Sequence, residues 1–247
     1  MATFKDYFSA SAAGYAAHRP RYPDALVDFL AEQAPGHELA LDAGCGTGQL
    51  SVLLAWRFRH VIATDASARQ IEEAEPHPGV EYRVAPAERS GLEDGSADLV
   101  TVAQAAHWFE LSSFYEEVRR ILRPGGIITL VTYGILTVDR ELDPLILGFY
   151  HDVVGPYWPP ERRHVEEGYR SLPFPFAELA APALAIEVSW SRDDFFGYVD
   201  TWSAVRAAEK SLGHAPIEDF KRALFAAWPA DAHRTVRFPL SLRVGRI

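Results

Sequence analysis

Three glycines at alternate positions, Gly44, Gly46 and Gly48, follow Asp42 in the segment Leu41-Asp42-Ala43-Gly44-Cys45-Gly46-Thr47-Gly48. Glycine has no Cβ, so backbone carrying it can turn tightly and pass close to a ligand. A pyrophosphate-binding turn requires G-x-G-x-x-G, and Gln49 stands where its third glycine would fall. A P-loop requires Gly-Lys-Ser/Thr, which does not follow. Asp42 beside the turn suits a cationic ligand better than a pyrophosphate. Asp65 lies 21 residues after Gly44, at the end of the next apolar run, where a carboxylate can accept both hydroxyls of a ribose. The expected ligand is a nucleoside held by its ribose, without phosphate. The alternative for Asp65 is a helix N-cap, since Ser67 and a helix follow. Cys45 reads as a small structural residue with no partner to activate its thiol.

The elements that must position these residues show in the apolar pattern. From Leu39 to Tyr133, short apolar runs alternate with amphipathic stretches, the mark of parallel strands joined by crossover helices. Strands are expected over Leu39–Ala43, His60–Asp65, Val80–Ala85, Asp98–Ala103 and Ile127–Tyr133, with helices starting near Thr47, Ser67 and Ser112. Pro124-Gly125-Gly126 stops the third helix and leads into the fifth strand. Beyond Gly134 the spacing predicts a helix over Asp139–Val154 and then a loop-rich, proline- and aromatic-rich stretch that reads as a lid. Leu184–Trp190 and Arg234–Val244 alternate as an antiparallel edge pair, with helices over Asp193–Ala208 and Ile217–Trp228 between them. The division expected is a single domain: an N-terminal cap (1–34), a ligand-binding core (35–134), a lid insertion (135–182) and C-terminal strands with a helical insertion (183–247).

Composition bounds the function. The 247 residues are 48% hydrophobic and carry a formal charge of −10, which argues against a nucleic-acid or anionic-membrane footprint. The single cysteine excludes an intrachain disulfide framework and a multi-cysteine zinc site, and no metal is implied. The longest uncharged run, Pro124–Val138, is shorter than the roughly 20 apolar residues of a membrane helix. No secretory signal pattern is visible, so a cytoplasmic location is expected.

Asp42-Ala43-Gly44-Cys45-Gly46-Thr47-Gly48 with Asp65 resembles the first two motifs of class I S-adenosylmethionine-dependent methyltransferases, and Leu122-Arg123-Pro124-Gly125-Gly126 resembles their post-helix motif. Phe8 with Tyr15 and Arg19-Pro20-Arg21-Tyr22-Pro23, Gln104-Ala105-Ala106-His107-Trp108-Phe109, Tyr157-Trp158-Pro159-Pro160-Glu161-Arg162-Arg163 and Thr201-Trp202-Ser203-Ala204 resemble the branch of trans-aconitate methyltransferase and its fungal relatives. The resemblance implies an α/β, Rossmann-like sheet of seven strands, mostly parallel with an antiparallel edge pair and helices on both faces. It also implies S-adenosylmethionine as cofactor. Carried over by position, Gly44 and Gly46 contact its methionine part with Asp42 and Tyr15 nearby. Asp65 and Ala66 hold the ribose, and Ala87 with Glu88 lies at the adenine. The segment from Gln104 faces the sulfonium and the acceptor. For Glu88 the alternative is a solvated loop residue.

Methyl transfer is an in-line displacement in which alignment supplies much of the acceleration. A carboxylate acceptor is already ionised and needs no base. A hydroxyl or amine acceptor needs one, and His107 is the candidate; its alternative is an orienting histidine stacked on Trp108. Phe8, Tyr15 and Trp108 could hold a sulfonium by cation–π attraction. A small-molecule acceptor of anionic character would need arginines, for which Arg162 and Arg163 of the lid are candidates, together with Arg19 and Arg21 of the cap. Tyr198, Trp202 and Arg206 recur every four residues and would share one helix face. With Trp108 and Trp158 these make the candidate acceptor set. The reading is O-methylation of a carboxylate. The alternatives are methylation of a hydroxyl or amine with His107 as base, a non-catalytic S-adenosylmethionine-binding protein, and a nicotinamide-dependent oxidoreductase.

Overall fold

Most apolar runs of the first half form strands buried on both faces, as parallel sheets require, while Val80–Val84 lies at the sheet edge and stays partly exposed. A computed structural model describes residues 20–247; Phe8, Tyr15 and Arg19 lie outside the described residues. Helix α1 (Asp24–Gln33) precedes β1 (Leu39–Ala43), α2 (Gln49–Leu54), β2 (His60–Asp65), α3 (Ala68–Glu72), β3 (Val80–Val84), β4 (Ala97–Ala103), α4 (Leu111–Ile121) and β5 (Leu122–Tyr133). These five strands pair in parallel in the order β3-β2-β1-β4-β5. In α4, Phe114, Val118 and Ile121 face the sheet while Arg119 and Arg120 stand outward at its C-terminal end, where cations favour the helix dipole.

The second half adds α5 (Asp143–Gly148), α6 (Arg162–Glu166), β6 (Ala177–Leu179), β7 (Ala185–Trp190), α7 (Arg192–Asp200), α8 (Ser203–Leu212), α9 (Ala215–Ala227) and β8 (Arg234–Arg246). The thirteen-residue β8 is used twice. Its first half pairs antiparallel with β7, and its second half lies antiparallel between β5 and β6. The sheet thus has the seven expected strands and an eighth of three residues inside the stretch expected to be lid. Glu178 of β6 is ion-paired with Arg243 of β8, and Phe174 and Phe176 pack beside it. The segment 135–182 buries Leu142, Ile146 and Phe149 on one face of the sheet and Val165, Tyr169 and Leu172 on the other.

Two helices differ from expectation. The α5 helix starts only at Asp143, because the Asp139 carboxylate accepts the amides of Glu141 and Leu142 (both 3.0 Å) and shapes a turn instead. From Phe149 to Val153 the helix widens into a π-turn. The stretch Asp193–Ala208 is two helices. A capping box of Ser191 and Asp194 opens α7, the Thr201 hydroxyl bonds back to the Tyr198 carbonyl (2.6 Å), and Trp202 is extended as it turns its ring inward. Tyr198, Trp202 and Arg206 therefore do not share a face.

At the N-terminal ends of the central strands, the fully buried Asp98 carboxylate accepts the amides of Glu38 (2.8 Å) and Leu39 (3.0 Å) and pairs with Arg123 at 3.0 Å. This ties β1 to β4 at the end opposite the glycine turn. Replacing Asp98 by Ala leaves the Arg123 guanidinium and both amides uncompensated, and is expected to cost about 3 kcal/mol or more of stability. A lowered urea midpoint with an unchanged slope is the expected readout.

Candidate active site

Chain direction places the carboxyl ends of β1, β2, β3 and β4 side by side, the crevice where open α/β sheets bind ligands. The backbone after β1 takes positive φ at Gly44 (+70°), Gly46 (+55°) and Gly48 (+86°), values that side chains resist. A Cβ at Gly44 would stand 2.7 Å from that of Ala105 and 3.0 Å from the Phe109 ring, and one at Gly48 would run into the Tyr82 hydroxyl. At Gly46 the nearest atom, Gln70 Oε1, is 3.6 Å from the Cβ position, an ordinary contact, so crowding is not what requires glycine there; its φ is.

The turn is held from β2. The amides of Gly44 and Cys45 both donate to the Thr64 carbonyl (2.8 and 3.0 Å). Asp65 Oδ2 accepts the Gly46 amide (2.9 Å) and Oδ1 the Ser67 amide (2.8 Å). Each oxygen keeps a further lone pair for a ligand hydroxyl. The N-cap expected as the alternative for Asp65 belongs to Ser67, whose hydroxyl accepts the Gln70 amide. Beneath the turn Asp42 is buried, accepting the hydroxyls of Ser51 (2.6 Å) and Thr101 (2.8 Å). Burial outweighs both bonds and pushes its carboxyl up to about 6. Burial also pushes the Cys45 thiol up, aided by the charges of Asp42 and Asp65, so it is no ready nucleophile.

These residues open onto one cavity of about 630 Å³. Asp42, Gly44, Gly46, Asp65 and Ala66 line it from β1 and β2, Ala87 and Glu88 from the turn after β3, and Gln104, His107 and Trp108 from the turn after β4. Glu88 accepts the Glu110 amide (3.0 Å) across the cavity mouth. Gln104 is a non-glycine residue at φ +57°; its amide nitrogen donates to the Tyr133 carbonyl (3.1 Å) and its oxygen accepts the Thr132 hydroxyl (2.7 Å). His107 packs on Trp108 with centroids 4.7 Å apart, and its Nδ1 lies 2.9 Å from the Tyr169 hydroxyl. Burial, with the positive charges of Arg162 and His164, lowers its imidazole to about 3.

The remaining expected residues stand beside this cavity rather than lining it. Trp158 and Trp202 pack together with Tyr150, and the Arg162 guanidinium lies 4.6 Å from the Trp158 ring centroid while its Nε donates to the Tyr150 hydroxyl (2.7 Å). Among the described residues no carboxylate pairs with Arg162, and the buried Trp158 Nε1 has no hydrogen-bond partner. Arg163 is exposed beside Glu167, Arg206 is exposed on α8, and Arg21 is exposed near Glu75. Tyr169, Thr132, Ser51 and Thr101 were not singled out in the sequence; their contacts join residues far apart in the chain.

Residues 41–130 match a family described as a methyltransferase domain. A methyltransferase of Dictyostelium discoideum is 35% identical over 229 residues, 91% of this chain and 87% of the relative. The chain belongs to the class I S-adenosylmethionine-dependent methyltransferases. This methyltransferase also superposes on a solved structure described as a type II methyltransferase from Anaeromyxobacter dehalogenans, with a TM-score of 0.89 and 49% identity over 92% of this chain and 97% of that one. A malonyl-[acyl-carrier protein] O-methyltransferase of Dechloromonas aromatica is 37% identical over 122 residues, 45% of this chain and 42% of that protein.

The cavity residues fit S-adenosylmethionine. The backbone of Gly44 and Gly46 on the cavity wall would take its methionine part, Asp42 and Asp65 would set negative charge beside a cationic ligand, and Asp65 would offer two lone pairs to a ribose. Asp65→Ala removes these and the tie between Gly46 and Ser67, and is expected to weaken S-adenosylmethionine binding by about 2–4 kcal/mol in calorimetry. Gly44→Val, which strains the turn and collides with Ala105 and Phe109, is expected to abolish binding.

Proposed function

We propose that this methyltransferase modifies a small molecule on oxygen, and that the acceptor oxygen belongs to a carboxylate. The observation that carries this reading is the setting of His107, packed on Trp108 with its Nδ1 against the Tyr169 hydroxyl and largely shut off from solvent. An imidazole lowered to about 3 is a weak proton acceptor at neutral pH, so the site suits an acceptor that arrives ionised and needs no base. Arg162 supports it, since its guanidinium is stacked and oriented but has no carboxylate partner among the described residues. The sequence resemblance to the trans-aconitate methyltransferase branch points the same way, as does the name of the Dechloromonas relative, an O-methyltransferase of a malonyl group.

S-adenosylmethionine supplies, when bound, a methyl carbon activated by a sulfonium. The chain's part is then positional and electrostatic. The glycine turn and Asp65 fix one end of the cavity. Trp108 and Phe109 wall it with apolar surface, and Arg162, stacked on Trp158 beside the cavity, is the group assigned to balance the acceptor's charge. Cancellation of opposite charges between donor and acceptor lowers the barrier most where little water is present. A second reading, a hydroxyl or amine acceptor with His107 as base, is favoured by the placement of His107 on the cavity wall.

An acceptor screen with labelled S-adenosylmethionine, covering di- and tricarboxylates, fatty acids and phenols, is the direct test, with methyl esters the expected products. His107→Ala is then expected to reduce turnover only modestly, whereas a fall of about 100-fold would establish the second reading. Arg162→Gln is expected to lower kcat/KM for the acid by about 2 kcal/mol while leaving S-adenosylmethionine affinity unchanged. Binding of the neutral ester analogue is expected to change little, because it brings no charge to pair.

A further inference from the structure

Strand β3 ends the sheet, and among the described residues it pairs with β2 alone. The Gly79 carbonyl accepts the Val61 amide (2.9 Å) and the Ala85 amide donates to the Asp65 carbonyl (3.0 Å), so the main chain of the odd-numbered residues faces β2. The main chain of the even-numbered residues faces the other way. The Val80 amide is taken by the His77 carbonyl (3.0 Å), while the Val80 carbonyl and both main-chain groups of Tyr82 and Val84 bond to no described residue. Such an edge is a template for another strand. Side chains divide between its two faces. Tyr82 lies against Gly48 at the start of α2, and its hydroxyl donates to the Glu75 carbonyl (2.7 Å). Val80 and Val84 share that face, and Val84 is 57% exposed on it. Glu81 and Arg83 occupy the opposite face, bonded to each other at 2.7 Å. Ala55 stands 3.2 Å from the Cβ position of Gly79, which brings its neighbour Trp56, 68% exposed and in contact with the His77 ring, to the N-terminal end of the strand.

The charge pattern decides which strand fits this edge. A two-fold axis at Tyr82 would set two copies of β3 antiparallel, with Tyr82 opposite Tyr82, Val84 opposite Val80 and Glu81 opposite Arg83. The outward groups then match. Each Tyr82 amide meets the Tyr82 carbonyl of the other copy, and each Val84 amide meets the other's Val80 carbonyl. Glu81 and Arg83 fall at the positions without main-chain bonds, where side chains across a ladder stand closest. Each guanidinium would lie between its own Glu81 and the one opposite. An axis at Glu81 would instead oppose two carboxylates, and an axis at Arg83 two guanidiniums, so like charges disfavour both neighbouring registers. The axis at Tyr82 also carries Val84 of each copy to the end of the strand where the other copy exposes Trp56.

We propose that the β3 edge is a docking surface for a second copy of this chain, the two strands pairing antiparallel about Tyr82 so that both sheets join into one. The self-complementary order of Glu81 and Arg83 carries the choice of partner: a strand of arbitrary sequence has no reason to place opposite charges at both positions. The proposal is independent of the identity of the methyl acceptor.

Sedimentation velocity over a concentration series tests it. The wild type is expected to show a monomer–dimer equilibrium. Arg83→Glu opposes carboxylate to carboxylate at both side-chain pairs, Glu81→Arg opposes guanidinium to guanidinium, and each is expected to raise the dimer dissociation constant about 10-fold or more. An equimolar mixture of the two variants restores opposite charges at both pairs and is expected to dimerise as the wild type does, as is the double variant Glu81→Arg, Arg83→Glu. Retained S-adenosylmethionine binding in calorimetry shows that each variant is folded. A wild type that sediments as a monomer at every concentration overturns the proposal. A dimer that both single reversals leave intact overturns it as well, because its contact then lies on another face, and so does a mixture that fails to recover the association lost in its two components.

Discussion

Two backbone amides from different connections, those of Gly46 and Ser67, converge on the single carboxylate of Asp65, and the cofactor end of the molecule depends on that convergence. A turn through three positive-φ glycines has little intrinsic preference for one shape. Here it acquires one from outside. The last two residues of β2 accept its amides, so the register of β1 against β2 sets the position of the ligand-facing backbone. Asp42 completes the arrangement from below, its hydroxyl partners contributed by α2 and β4. Sheet register, helix entry and ligand surface are consequently one set of constraints.

Charge is distributed unevenly along the cavity. Asp42, Asp65 and Glu88 stand on the side of β1, β2 and β3, while beyond β4 the Arg162 guanidinium lies near His107. For a protein of formal charge −10, that positive region is local and built by α6. On the proposed reading, opposite fields at the two ends would suit a cationic donor at one and an anionic acceptor at the other.

The cofactor half of the molecule was readable because its determinants are local. Strands such as Leu39–Ala43 and His60–Asp65 are apolar runs ended by residues that line the cavity, and the glycine spacing is meaningful without knowledge of any contact. The second half of the chain was less readable because its determinants are distant. Nothing between Asp193 and Ala208 resembles a helix breaker apart from Gly197, which stays helical; the break at Thr201–Trp202 comes from a ring drawn into the cluster of Tyr150 and Trp158. The helix read from Asp139 lost only its first turn, to a side-chain turn that competes with the backbone, and runs from Asp143. Strand β6 is too short to show a period and exists through its pairing with β8. Tyr169 carries no signal beyond the preceding glycine, since its partner His107 lies on another loop.

Tyr133 at the end of β5 faces Leu240 of β8 across the antiparallel ladder. Everything from residue 134 to 239 therefore leaves and re-enters the sheet at neighbouring points, like an excursion that closes on itself. Such a segment is a unit of exchange. Recombination between relatives at those two points would replace α6, the Trp158–Trp202 cluster and Tyr169 together, while the glycine turn, Asp65 and the parallel strands stayed untouched. If the acceptor is held by this block, as proposed, the fold would let acceptor preference diverge by transplantation of one contiguous segment while the glycine turn and Asp65 were inherited unchanged.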